Sequence, residues 1–276
     1  MTKWLKICAV LLGLSLFISS FFTPSAAYAD ITITPTRVVF NDGDRFSEVV
    51  LINTGDKQVT YEINWRFFTM VEGANAAYEE ADGPTTEFDL TQHMVYTPRR
   101  VTLAPGGKQK IRLALRRPAE VQPGEYRAHL GFSKVREAEP LESAEDPGRK
   151  SGALVKINVG YTIPVIFRAG QPDVEGTIES VSFRRNEQNG RLHAIVTLAR
   201  SGGPYGVLGH LYIYNDKNEV IGEVSNAHIF PEVNRRVLDV PLLDENPGSN
   251  LRVVLAHYNR AKGLPNYDEK TFPIRE

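Results

Sequence analysis

Residues 153–168 read ALVKINVGYTIPVIFR, and every odd position from Ala153 to Phe167 is apolar. Alternation at period two marks a β-strand with one face to bury. Sixteen extended residues span about 50 Å at roughly 3.3 Å each, whereas strands usually run to about five or six residues. A sandwich of ordinary size does not cover that length with its own core. The excess points to an apolar row offered to another chain.

The same period recurs along the chain. Tyr61, Ile63, Trp65 and Phe67 share one parity, as do Ile111, Leu113 and Leu115, then Tyr126, Ala128, Leu130 and Phe132. Further on, Leu192, Ala194, Val196 and Leu198 repeat it, followed by Leu211 with Ile213, and by Leu251, Val253 and Leu255. Turn-forming clusters separate these runs: Asn41-Asp42-Gly43, Pro105-Gly106-Gly107, Pro123-Gly124, Gly202-Gly203-Pro204 and Pro247-Gly248. Short alternating strands with such punctuation define an all-β chain of antiparallel sandwiches or barrels. No segment shows a helical period of useful length.

The N-terminus is read as a leader. Lys3 and Lys6 precede an apolar run over 7–22, and Ala27-Tyr28-Ala29 is a small-x-small cleavage site, which together form a secretory signal peptide over 1–29. Cleavage leaves 247 of the 276 residues, without the single cysteine, Cys8. Exported domains often rely on disulfides; this one must rely on apolar packing, and thiol chemistry is excluded. Loss of Lys3 and Lys6 leaves 30 basic against 33 acidic residues, a net charge of −3, which argues against nucleic acid as a partner. No later segment is apolar and long enough to insert in a membrane as a helix.

Residues 72–86 and 136–152 read as loops, the latter acidic and proline-containing. A break at Ala169-Gly170-Gln171-Pro172 divides the remainder into domains over 30–168 and 169–276. Enzyme motifs are absent: there is no nucleophile elbow, phosphate loop or zinc-protease helix. The six histidines (His93, His129, His193, His210, His228, His257) lack metal spacing, and His129 and His193 fall on the polar parity of their strands, as solvated residues do. The chain therefore reads as a non-enzyme with no cofactor. Two cations stand out beside apolar strands. Arg37, in Thr34-Pro35-Thr36-Arg37-Val38, has the forked geometry for a terminal carboxylate, or else pairs with a nearby Asp. Lys156 lies opposite the apolar row of the long strand, where a lysine also serves to block edge-to-edge aggregation.

These residues together resemble the PapD-like periplasmic pilus chaperones of the chaperone–usher system. The resemblance runs through TPTRVVF (34–40), EVVLINTG (48–55), YTPRRVTLAPGGKQKIRL (96–113), PGEYRAHLGF (123–132) and IPVIFR (163–168). It is good over 31–168 and carried only by strand rhythm and length over 174–276. It implies two immunoglobulin-like β-sandwiches in an L or boomerang arrangement. It further implies periplasmic localisation and donation of the strand 153–168 to a pilus or fimbrial-type subunit, which then passes to an outer-membrane usher. The donor row is then Val155, Ile157, Val159, Tyr161 and Ile163, and the subunit's terminal carboxylate is anchored by Arg37 with a lysine. This chain departs from the pattern there: Pro164 occupies the lysine position, so either another cation, Lys156 or Arg168, completes the anchor or the anchoring differs. The donor edge also invites a self-capping homodimer. A secreted structural or adhesive protein of two such domains is the alternative.

Overall fold

Alternating segments can bury their apolar parity only by stacking sheet on sheet, and this chain does so twice. The computed structural model describes residues 31–72, 78–117, 120–135, 160–244, 247–259 and 263–274. The leader and residues 136–159, which include Val155, Lys156, Ile157 and Val159, lie outside the described residues. Among those described, 17 strands and one 3-10 turn make up the regular structure. The fold is all-β, two immunoglobulin-like sandwiches.

The first sandwich contains β1 (Ile31–Thr34), β2 (Val38–Phe40), β3 (Phe46–Asn53), β4 (Val59–Met70), β5 (Tyr78–Ala81), β6 (Met94–Thr97), β7 (Arg100–Leu103), β8 (Lys108–Leu115), β9 (Gly124–Lys134) and β10 (Gly160–Ala169). One sheet runs β1-β3-β8-β6; the other runs β2-β10-β9-β4-β5, with β7 also on β4. Val49, Leu51, Ile63, Ile111, Leu113, Leu130, Phe132, Val165 and Phe167 are wholly buried between them. Each contributes roughly 1.5–3 kcal/mol by leaving water.

The opening segment changes sheets. β1 pairs antiparallel with β3 in one sheet, the chain crosses through residues 35–37, and β2 pairs parallel with β10 in the other, Val38 against Val165. Arg37 therefore sits at the crossing point. Part of the 72–86 segment, read as a loop, is a strand. Tyr78–Ala81 pairs antiparallel with Phe67–Met70, where an Arg66–Glu80 ion pair secures it. Composition cannot register such an edge strand, because its residues are held by the ladder rather than by a core.

The second sandwich contains β11 (Val174–Arg185), β12 (Leu192–Gly202), β13 (Gly209–Tyr214), β14 (Val220–Val224), β15 (Arg235–Pro241), β16 (Asn250–His257) and β17 (Asp268–Pro273). Its sheets are β11-β12-β15 and β14-β13-β16-β17. Leu198, Leu211, Ile213, Leu251, Val253 and Leu255 fill the space between.

The two sandwiches share surface. β10 is apolar on both parities near its end: Ile163, Val165 and Phe167 enter the first core while Ile166 joins Met70 in the second. Polar ties surround this contact. The wholly buried Glu125 carboxylate accepts from the Gly206 amide at 3.0 Å and stands 3.6 Å from the Arg168 guanidinium, which donates to the Gly206 carbonyl at 2.9 Å. Arg127 pairs with Glu232 and lies 3.6 Å over the Phe230 ring. Between the sandwiches, Gly170 adopts φ +82°, and a side chain there would meet the Tyr205 hydroxyl and Pro123 at 3.1–3.2 Å. That leaves the connection little freedom.

Candidate functional site: the open edge of β10 and the adjoining cleft

β10 lies between β9 and β2, but the two neighbours differ in extent. β9 pairs with it from Gly160 to Ala169, whereas β2 reaches only Val165–Phe167. Among the described residues, Gly160–Pro164 thus pairs on one side alone. The lane ahead of β2 is bordered by Ile31, Ile33, Thr36, Tyr161, Thr162, Ile163 and Pro164, with Asn226, His228 and Arg236 facing them from the second sandwich. It forms a cleft of about 480 Å³. Unpaired main chain beside apolar side chains is what strand addition requires.

The anticipated site residues fall at different depths. Ile163 is 4% exposed and part of its own core, while Tyr161 packs partly buried at the edge of that core. Pro164 occupies the last position before β2 begins, an edge site where a proline is tolerated. Arg168 is 3% exposed and engaged with Glu125 and Gly206, so it serves the contact between the sandwiches.

Arg37 stands at the end of the lane, in a second recess with Phe46, His210, Asn226 and Tyr258. Its guanidinium lies 5.3 Å from the Tyr258 ring centroid. Its Nη1 is buried without a hydrogen-bond partner, and no carboxylate among the described residues forms an ion pair with it. Burial pulls its pKa down, with tyrosines and Glu125 partly opposing. The expected alternative, a surface arginine paired with a nearby Asp, is not what forms: Asp42 pairs with Arg117 instead. A buried guanidinium nitrogen without a hydrogen-bond partner is costly, and a carboxylate would satisfy it in a bidentate pair.

Sequence reasoning missed the wall that faces β10. His129, expected to be solvated, is 6% exposed: Phe68 and Tyr78 pack edge-on against it at 5.0 and 6.4 Å, and the second sandwich meets the same face of β9 at Arg127. Desolvation first, and then Arg127, lowers its pKa to about 3. His228 is buried as well, its Nε2 2.7 Å from the Tyr78 hydroxyl, and its pKa falls for the same leading reason. Arg236 is 9% exposed and gives Nη1 to the carbonyls of Asn226 (2.8 Å) and His228 (2.6 Å). One signal for it was present: Arg236 shares the parity of Leu238 and Val240, a cation on an otherwise apolar row. Among the described residues no His/Cys/Asp/Glu group is arranged to hold a metal, and no helix is long and apolar enough to cross a membrane.

No family model and no curated protein matches the sequence. Solved structures do resemble the fold. A chaperone–tip adhesin complex of CFA/I fimbriae biogenesis aligns with a TM-score of 0.45 at 16% identity, over 89% of this chain and 99% of that one. The CupB2 chaperone of Pseudomonas aeruginosa gives 0.41 at 13% identity, over 88% and 100%. The CsuC–CsuE chaperone–tip subunit pre-assembly complex of Acinetobacter baumannii gives 0.40 at 14% identity, over 89% and 98%.

Proposed function

We propose that this protein is a periplasmic chaperone, without catalytic activity, that captures pilus or fimbrial-type subunits by lending them β10 and its upstream extension. One observation carries the reading: a strand lane beside Gly160–Pro164 that ends at a half-buried arginine whose Nη1 has no hydrogen-bond partner. β2 lies in the same lane and runs parallel to β10. A visiting strand in the lane meets the start of β2 with its C-terminus if it is parallel to β10, and with its N-terminus if antiparallel. Arg37 attracts a carboxylate and repels an ammonium, so charge selects the parallel arrangement. Main-chain hydrogen bonds then supply affinity and alternate side chains supply specificity.

Tyr161 and the row continuing through Val155, Ile157 and Val159 are the side chains offered. Ile163, already covered by its own sandwich, anchors the donated strand instead. Lys156 remains the upstream cation of the proposed anchor. Domains over 30–168 and 169–276, export by the leader at 1–29, delivery to an outer-membrane usher and a resting homodimer capped through the same edge belong to this proposal.

The test is affinity purification of the tagged protein from the periplasm, followed by mass spectrometry. A stoichiometric β-rich partner is expected, lost in a folded Tyr161→Asp variant. A chain that comes out alone, with its candidate partners expressed, favours the structural or adhesive reading.

A further inference from the structure

The lane and the Arg37 recess adjoin, since Thr36 and Asn226 border both. Their walls come from both sandwiches, and each sandwich presents a guanidinium with one buried, unsatisfied nitrogen: Nη1 of Arg37 and Nε of Arg236. Arg236 has no ion-pair partner among the described residues; its only bonds there are from Nη1 to the carbonyls of Asn226 and His228, which fix one end of the guanidinium without bringing it an opposite charge. Tyr78, His129 and His228 line the lane beside Arg236, and His210, Tyr258 and Asp44 line the recess beside Arg37. Asp44 accepts from the main-chain and side-chain nitrogens of Asn41 and forms no ion pair with Arg37 among the described residues. Both guanidinium groups depress the pKa of His228 through space, which places both within electrostatic reach of one imidazole.

We infer that the carboxylate of a captured chain is read from both sandwiches at once, by Arg37 of the first and Arg236 of the second, with Asn226 between them. The inference rests on the proposed capture of a chain terminus in the β10 lane and names the residue that completes it. Arg236 supplies the cation that Pro164, on the opposite wall of the lane, cannot. It also makes capture depend on the angle between the sandwiches, because a carboxylate bound to both walls ties them together.

The test uses the full chain and two fluorescent N-acetylated heptapeptides of alternating valine and threonine, one with a free C-terminal carboxylate and one amidated. Fluorescence polarisation reads their binding. The native protein is expected to prefer the free acid by about tenfold or more, as charge-assisted hydrogen bonds imply. Arg37→Gln and Arg236→Gln should each remove most of that preference, with little change for the amide. Arg236→Gln also releases two carbonyls, so Asn226→Asp is the companion variant: it sets a carboxylate in the cleft without altering shape and should cancel the preference. If Arg37→Gln loses the preference while Asn226→Asp and a folded Arg236→Gln keep it in full, the two-sided anchor is wrong and one-sided capture stands. If the native protein binds neither peptide, or binds both equally, carboxylate capture itself is overturned.

Discussion

Arg37 and the desolvated histidines carry opposite messages about what loss of water costs. The guanidinium of Arg37 is desolvated without a partner, so removing it should not weaken the fold. Arg37→Met is expected to leave the melting temperature unchanged or slightly raised while capture weakens by about tenfold or more. A drop of several degrees with capture intact would make Arg37 a structural residue. The histidines are held neutral: His129 is depressed to about 3 and His257 to about 4, from an ordinary 6.5, chiefly by desolvation. Below 6.5 the unfolded chain binds protons that these sites refuse. Stability is therefore complete above about pH 6.5 and falls as pH drops from there toward 4 and 3. Denaturant melts between pH 7 and pH 4 should show this decline. His129→Gln should flatten its low-pH part, and an unchanged profile would mean that His129 is not held neutral.

At the scale of the element, β10 serves two ends. Its C-terminal half is buried on both faces, with Val165 and Phe167 inward and Ile166 against the second sandwich, while Gly160–Pro164 has an unpaired edge although Ile163 within it enters the core. Core and marginal side chains of the strand should respond differently to substitution. Ile163→Ala is expected to cost about 2–5 kcal/mol, as other large-to-small core changes do, measured by urea unfolding. Tyr161→Asp, at the margin of the core, should cost about 1 kcal/mol or less and yet abolish capture of a partner. If Tyr161→Asp unfolds the chain, the row belongs to the ordinary core throughout and strand lending fails. Much of this element was legible in advance, because alternation over 153–168 is a local property. That its even positions Ile166 and Arg168 are also buried was not, since they meet the second sandwich, more than 35 residues further along the chain at Gly206.

At the scale of the molecule, the contact between the sandwiches concentrates charge away from water. Glu125 faces Arg168 at 3.6 Å and Arg127 at 4.0 Å, and its side chain is wholly buried. Glu125→Ala would leave two buried guanidinium groups without that carboxylate, a change that costs about 3–5 kcal/mol when one partner of a buried pair is removed. Calorimetry is expected to show one unfolding transition for the native protein and two for the variant, as the sandwiches uncouple. A uniform shift of one transition would mean that the contact is not what couples them. Replacing the exposed Arg235 or Glu179, an ion pair at the surface, should change little.

The amino-acid sequence by itself determined the all-β architecture, most of the long strands and the edge that lies open, because side-chain alternation and turn chemistry act between residues near in the chain. It placed Arg37 beside an apolar strand but left open whether the arginine met a neighbouring aspartate. Only the tertiary structure decided that. The sheet-crossing through residues 35–37 carries Arg37 into the cleft, and Asp42 is engaged elsewhere. The opposite wall, with His228, Asn226 and Arg236, came from β15 and the β14–β15 connection of the second sandwich, far away in sequence. The exposure of a polar parity such as that of His129 depends on what docks against it. Docking is a property of two surfaces meeting, and no single strand's pattern contains it.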